Sequence, residues 1–312
     1  MATTPRNPYR GRFAPTPTGP LHFGSLVAAT ASYLCARQAG GSWLVRIEDL
    51  DPPREIPGSR DQILVALERL GFEWNESIVR QSERGELYEA ALQRLLASRD
   101  AFPCSCSRTE IAAAGATSDD GDELRYPGWC RDGIRAPGRP LAIRFRTPAG
   151  PVAFEDELQG PVSCDVAAQV GDLVIRRRDG WFAYQLAVVI DDAAQGITSV
   201  VRGADLLNST PRQLLLQRAL GLPTPAYAHM PVATDRNGVK LSKSAGAAAL
   251  DLAHPGDELW RALLFLRQNP PPELRHAKPA DLWSWAIVHW TPAPLRGQLA
   301  ACADDAVNQP PV

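Results

Sequence analysis

The chain has 312 residues, 45% of them hydrophobic and 22% charged, enough for a buried core domain with one or two smaller additions. Its net charge of −2 excludes attraction of polyanions by bulk charge, so a nucleic-acid partner has to be argued from motifs. No apolar run reaches the ~20 residues of a membrane span and MATTPRNPYRGRF lacks a signal segment, so a cytoplasmic monomer without a membrane partner is expected.

In chain order, an apolar segment near Phe13 runs into the turn PTPTGPLHFGS, and LVAATASYLCARQ then reads as a helix. SWLVRIEDLD gives a β-rich segment ending in acids. Strand, glycine-containing turn, helix and strand make one βαβ unit, which predicts an α/β, Rossmann-like parallel sheet. RDQILVALERLGF and GELYEAALQRLLAS are amphipathic helices, the first stopped by Gly71. From 102 to 165 the pattern breaks into small residues, acids and Pro/Gly turns, with short strands in LAIRFRT and PVAFED. This segment is expected to be an inserted module between two halves of a catalytic domain, 1–101 and 166–245. The second half carries GDLVIRRRDGWFAYQLAVVIDDAAQGITSVVRG and a helix, TPRQLLLQRALG. Residues 246–312 read as a helical, tryptophan-bearing region through DELWRALLFLRQ and DLWSWAIVHW, and the last dozen residues are expected to fray.

The turn RFAPTPTGPLHFGSL opens a helix after a first strand and so offers backbone N–H groups to an anion. It carries neither GK[ST] nor GxGxxG, and alone it reads as an ordinary connection. KLSKS alone reads as a solvated basic turn. Yet only three of the 33 basic residues are lysines, Lys240, Lys243 and Lys278, and two of those fall in this stretch. In a chain so biased to Arg, retained lysines imply a need for the compact ammonium, suited with neighbouring hydroxyls to phosphates.

PTGPLHFGS and KLSKS resemble the HIGH and KMSKS elements of class I aminoacyl-tRNA synthetases. RFAPTPTGPLHFG, RIEDLD, VVRGADLLNSTPRQ and AHMPVATDRNGVKLSKS together resemble the glutamyl/glutaminyl branch, from about Arg12 to the KLSKS loop. The resemblance implies ATP, with Mg2+, held by Pro15, His22, Gly24, Ser25 and Lys243. It implies His22, Lys240 and Lys243 as the catalytic set, Lys243 stabilising charge as pyrophosphate leaves. Such a reaction is in-line attack of a carboxylate on the α-phosphorus, governed by positioning and electrostatics. Ser25 stands where HIGH has its second histidine, so a two-histidine description does not transfer.

The same resemblance implies an L-glutamate pocket of Arg12, Phe13, Ala14, Pro15, Thr16, Glu48, Tyr184 and Arg202, with Glu48 on the α-ammonium. Glutamate requires that chemistry, cations for its side-chain carboxylate and an acid for its ammonium. Without the resemblance, Glu48 reads as a surface partner of Arg46, and Arg202 as a partner of Asp191, Asp192 or Asp205. Tyr184 then reads as a core residue.

Cys104, Cys106 and Cys130 have a chelating spacing in the loop-rich segment, and composition serves zinc and three free thiols equally. The C-x-C…Y-x-x-x-C pattern resembles shortened paralogues of glutamyl-tRNA synthetase that glutamylate queuosine in tRNA(Asp). That resemblance implies one structural Zn2+ with Tyr126 as fourth ligand. About seventy residues follow Ser244, too few for a further anticodon-binding domain of typical size. The expectation is therefore an ATP-dependent ligase that passes glutamate to queuosine in the anticodon stem-loop of tRNA(Asp). The rival readings are a truncated enzyme charging a tRNA 3′ end and an inactive paralogue that binds tRNA or nucleotide. Trp181, Trp283, Trp285 and Trp290 could stack on RNA bases, with most expected in the core.

Overall fold

The computed structural model describes residues 8–114, 124–241 and 248–303. It opens with the expected βαβ unit: strand β1 (Arg10–Phe13), helix α1 (Phe23–Gln38) and strand β2 (Ser42–Ile47), with β1 and β2 parallel. α1 starts ahead of Leu26 because His22 takes an extended backbone and caps it. β2 stops at Ile47, so Glu48 to Asp51 lie in the loop beyond its carboxyl end rather than in a strand. Residues 43–47 are buried on both faces, as in a central parallel strand.

Helix α2 (Ser59–Arg69), strand β3 (Val79–Arg80, parallel to β2) and helix α3 (Gly85–Ala97) follow. Next come β4 (Ala101–Cys104), the short helix α4 (Arg108–Ala113), β5 (Ala142–Phe145) and a hairpin of β6 (Val152–Asp156) and β7 (Gly160–Cys164). A short helix α5 (Val166–Gln169) leads to β8 (Leu173–Arg176), α6 (Tyr184–Ala194), β9 (Ser199–Gly203), α7 (Ser209–Ala219) and β10 (Ala226–Met230). β11 (Val232–Thr234), α8 (Pro255–Phe265), α9 (Pro279–His289) and β12 (Ala300–Cys302) complete the described chain. β12 pairs in parallel with β11, so part of the tail expected to fray is a strand.

Two parallel sheets lie side by side, ordered β3-β2-β1 and β9-β10-β6, the second edged by the antiparallel β7. The Thr198 N–H donates to the Arg10 carbonyl at 3.0 Å and sets β9 beside β1. Chain order reverses between these two strands, and ligands of open α/β sheets gather beyond the carboxyl ends of strands at such a point. A third sheet, β4-β5-β8, is antiparallel. Strand pairing thus crosses both edges of the 102–165 segment: β8 joins β4 and β5, while β6 joins β10 through Asp156 opposite Tyr227. Short strands carry no sequence mark of their partners, which is why composition alone drew the segment as one block.

α1 is apolar nearly all round and is buried between the sheet and helices α8 and α9. An aromatic cluster fastens α9 to this core. Trp283 lies 4.7 Å from the Tyr33 ring and 4.9 Å from Phe72, and its indole N–H donates to the Leu70 carbonyl at 2.9 Å. Trp283 and Trp290 are buried and Trp285 is half-buried, so three of the four tryptophans considered for stacking belong wholly or partly to the core. Trp181 alone of the four is exposed.

Candidate active site

Where β1, β2 and β9 end, a cleft of about 1010 Å3 opens. Arg12, Phe13, Ala14, Pro15, Thr16, Glu48, Tyr184 and Arg202 line it together with His22, Gly24, Ser25 and Lys240. Residues drawn from six separate segments of the sequence therefore share one cavity. Lys243 lies outside the described residues, as do Ser242 and Ser244.

One end of the cleft is built on the amino terminus of α1. His22 caps the helix, its Nδ1 accepting from the Ser25 N–H at 3.4 Å. Gly24 is closely approached: a Cβ there would lie 3.3 Å from the Leu241 carbonyl oxygen and 3.2 Å from the His22 ring. The chain returns to the same turn, with Ala249 bridging to His22 and the Leu250 N–H donating to the Leu21 carbonyl at 3.3 Å. Leu241 and Ala249, on either side of residues 242–247 in the sequence, thus both stand at the helix terminus. Lys240 reaches across the cleft to Asp205, with Nζ 2.5 Å from Oδ2.

The other end is charged and buried. Arg46 is fully buried and faces three acids, with contacts of 2.8 Å to Asp192, 3.3 Å to Glu48 and 3.8 Å to Asp191. Arg12 also reaches Asp192, and Arg84 and Gln81 hold Asp191. Burial raises the Glu48 carboxyl above its ordinary pKa against the pull of Arg46 and Arg12. Burial works the same way on Asp192, but there Arg12 and Arg46 prevail and hold it low. Glu48 does pair with Arg46, but inside the protein and not on its surface.

Arg202 departs from its bland reading. Asp191 and Asp192 are taken by other arginines and Asp205 by Lys240, and the partners of Arg202 are all neutral. Its Nε donates to His229 Nε2 at 3.1 Å, Nη1 to the Tyr184 hydroxyl at 3.3 Å, and Nη2 to Thr210 at 2.8 Å and Gln213 at 3.0 Å. Among the described residues no carboxylate lies within ion-pair distance of it. Of the five N–H donors of a guanidinium, one on Nη1 is left over by these bonds. A buried cation whose hydrogen-bond partners are all neutral, lining a cleft, is suited to receive a carboxylate.

His229 was missed by sequence reasoning; its only signal was a histidine inside the apolar strand AYAHM. Its Nδ1 lies 2.5 Å from Asp156 Oδ2. Burial lowers the His229 pKa, with Arg202 adding to the effect and Asp156 opposing it. A neutral ring with its proton on Nδ1 donates to Asp156 and leaves Nε2 free to accept from Arg202.

The three cysteines converge as well. The Sγ atoms of Cys104, Cys106 and Cys130 all lie within 4.8 Å of one another, and all three residues are buried. Cys106 and Cys130 are 3.5 Å apart, and the Tyr126 Oη lies 3.4 Å from Cys104 Sγ and 3.8 Å from Cys106 Sγ. Tetrahedral Zn–S bonds of ~2.3 Å place sulfurs about 3.8 Å apart, and a ~2.0 Å Zn–O bond puts an oxygen about 3.5 Å from each sulfur. The donor set fits a tetrahedral zinc ion on those distances. Burial disfavours the Cys130 thiolate, yet backbone hydrogen bonds from Arg135 and Ser105 outweigh it and bring the pKa down to about 6. Burial and the bond to Cys130 instead push the Cys106 thiol up to about 12. Arg144, not foreseen from sequence, stands 3.9 Å over the Tyr126 ring with its Nε 3.3 Å from Cys104 Sγ. It supplies positive charge where anionic ligands would gather.

Residues 9–259 match the family described as tRNA synthetases class I (E and Q), catalytic domain. The chain is 55% identical over 301 residues to a glutamyl-Q tRNA(Asp) synthetase of Geobacter sulfurreducens, covering 95% of this chain and 96% of the relative. It is 53% identical over 302 residues to a glutamyl-Q tRNA(Asp) synthetase of Aromatoleum aromaticum, covering 96% and 95%. Among solved structures it is similar to the glutamate–tRNA synthetase of Elizabethkingia anophelis, with a TM-score of 0.76 and 26% identity, over 96% of this chain and 69% of that one. The chain belongs to the glutamyl-Q tRNA(Asp) synthetase family, on the class I glutamyl/glutaminyl catalytic fold.

Proposed function

We propose that this protein activates L-glutamate with ATP and transfers the glutamyl group to queuosine at the wobble position of tRNA(Asp). The observation that carries the amino-acid half is Arg202, a buried guanidinium held only by neutral acceptors at the end of the cleft. The side-chain carboxylate of glutamate supplies the missing negative charge, with Tyr184 closing that end and Glu48 receiving the α-ammonium. Arg12, Phe13, Ala14, Pro15 and Thr16 form the floor, and the kinship with glutamyl-Q tRNA(Asp) synthetases points to the acceptor.

ATP sits on the α1 terminus, along Pro15, His22, Gly24 and Ser25. The α-carboxylate of glutamate attacks the α-phosphorus, and the bond to pyrophosphate breaks in line. Lys240 and Lys243 then act on the leaving phosphates, Lys240 first exchanging Asp205 for them. The cleft acids Glu48, Asp51 and Asp205 are each engaged by a cation. Mg2+, which class I synthetases use with ATP, would therefore arrive with the triphosphate and neutralise part of its charge. Zn2+ on Cys104, Cys106, Tyr126 and Cys130 would be structural, holding together a segment with little core of its own. The enzyme would act as a monomer in the cytoplasm. Among the described residues no helix is long and apolar enough to cross a membrane.

The test is incubation with labelled glutamate, ATP and tRNA(Asp), with and without queuosine, followed by nuclease mapping. Label on the anticodon of the queuosine-bearing tRNA alone is the expected result. Label on a 3′ end would make the protein a charging enzyme. Absence of glutamate-dependent ATP–pyrophosphate exchange would make it an idle binder.

A further inference from the structure

The turn between β8 and α6 has the sequence RRRDGW, Arg176 to Trp181, and the site described above uses none of it. It stands on the rim of the cleft, which Arg177 and the following Phe182, Ala183 and Tyr184 line. The turn is built to hold its shape. The Arg177 N–H donates to the Trp181 carbonyl at 2.7 Å, the Gly180 N–H to the Arg177 carbonyl at 3.1 Å, and Arg176 bridges to Phe182. Gly180 sits at φ 93°, where a side chain would be strained.

Two side chains of this turn, Trp181 and Arg178, have no stacked ring or carboxylate partner among the described residues. The Trp181 side chain is 41% exposed, unlike the buried Trp283 and Trp290, and among the described residues no ring or cation is stacked on it. Arg178 donates to two carbonyls, Pro140 at 2.9 Å and Ser105 at 3.1 Å, and to no carboxylate among the described residues. Arg177 is paired with Asp51 and Asp179, and Arg176 with Glu89, which leaves Arg178 as the guanidinium of the turn with no carboxylate partner among the described residues. A rigid exposed indole beside an arginine that no carboxylate neutralises, in a chain without bulk positive charge, is the chemistry that takes an unpaired nucleotide.

We propose that the Arg176–Trp181 turn is an RNA-docking platform, on which an unpaired base of the acceptor loop stacks on Trp181 while Arg178 meets a flanking phosphate. The proposal rests on the reading that the cleft delivers glutamate to RNA. It locates the RNA between the cleft and the cysteine cluster, because Arg178 is bonded to the carbonyl between Cys104 and Cys106.

The experiment compares the full-length protein with Trp181→Ala and Trp181→Phe in two assays. Glutamate-dependent ATP–pyrophosphate exchange without RNA is expected to be unchanged in both variants. In transfer to queuosine-bearing tRNA(Asp), Trp181→Ala is expected to raise KM for the tRNA about ten-fold or more, with Trp181→Phe in between. An unchanged KM overturns the platform, and so does an exchange rate that falls in step with transfer, because Trp181 would then merely shape the cleft. If the wild type performs exchange but no transfer, the acceptor reading has failed and not the platform. Filter retention of the tRNA(Asp) anticodon stem-loop then decides: weaker retention by Trp181→Ala upholds the platform, and equal retention ends it.

Discussion

Arg202 donates from Nε to His229 Nε2 at 3.1 Å, and the far nitrogen of the same ring lies 2.5 Å from Asp156. A carboxylate, an imidazole and a guanidinium are thus joined in one buried chain whose free end faces the cleft. Replacing His229 by Leu leaves two buried polar groups unsatisfied, at a cost of about 1–3 kcal/mol each. Expected is a rise of about ten-fold or more in KM for glutamate with KM for ATP unchanged. His229→Gln, which can still accept from Arg202, should recover much of the loss. Equal rises in both KM values would show a general disturbance of the cleft instead.

The same histidine makes stability depend on pH in a stated direction. Its folded pKa lies below the ordinary 6.5, so between those two values the unfolded chain binds a proton that the native protein does not. Stability therefore falls as pH drops through about 6.5. Asp156, held below its ordinary value by His229 and backbone donors despite its burial, acts in the same direction only at lower pH. Thermal midpoints measured between about pH 7.5 and 5.5 should drop more in the wild type than in His229→Gln. Parallel curves would contradict a neutral His229.

The cysteine cluster predicts about one zinc per chain in purified protein. Cys104→Ser should lower the metal content and the melting temperature together, and a chelator should affect the wild type more than the variant. Gly171 gives an independent handle. It sits at φ 76°, and a Cβ there would run into the Tyr126 carbonyl. Gly171→Ala should cost at least about 2 kcal/mol and displace Tyr126 from the cluster. Full zinc content and an unshifted melting temperature in that variant would remove Tyr126 from the ligand set.

At the opposite end, Gly24→Ala should raise KM for ATP by crowding His22 and the Leu241 carbonyl, while KM for glutamate changes little. Lys243→Arg should leave folding intact and slow activation strongly, because a planar fork replaces a compact ammonium. Unchanged activation in Lys243→Arg would make KLSKS a solvated turn.

Near-neighbour chemistry was legible in the sequence. The βαβ unit followed from periodicity and glycine placement, and helices α7, α8 and α9 followed from their apolar runs. The surplus of Arg over Lys singled out the stretch whose described flanks, Leu241 and Ala249, touch the α1 terminus. Helix limits, the end of β2 and the strand at 300–302 were misjudged locally, because capping and pairing depend on groups distant in the chain.

The sequence by itself determined the alternation of strand and helix and the residue types available for phosphate, carboxylate and zinc, since these depend on spacing along one segment. Only the tertiary structure decided which charges are spent on each other. Arg46, Arg84 and Arg12 neutralise Asp191 and Asp192, and Arg202 is left facing the cleft with neutral partners. Pairing of that kind depends on distances between side chains that can lie more than a hundred residues apart, as Arg84 and Asp191 do, and spacing along the sequence does not encode them.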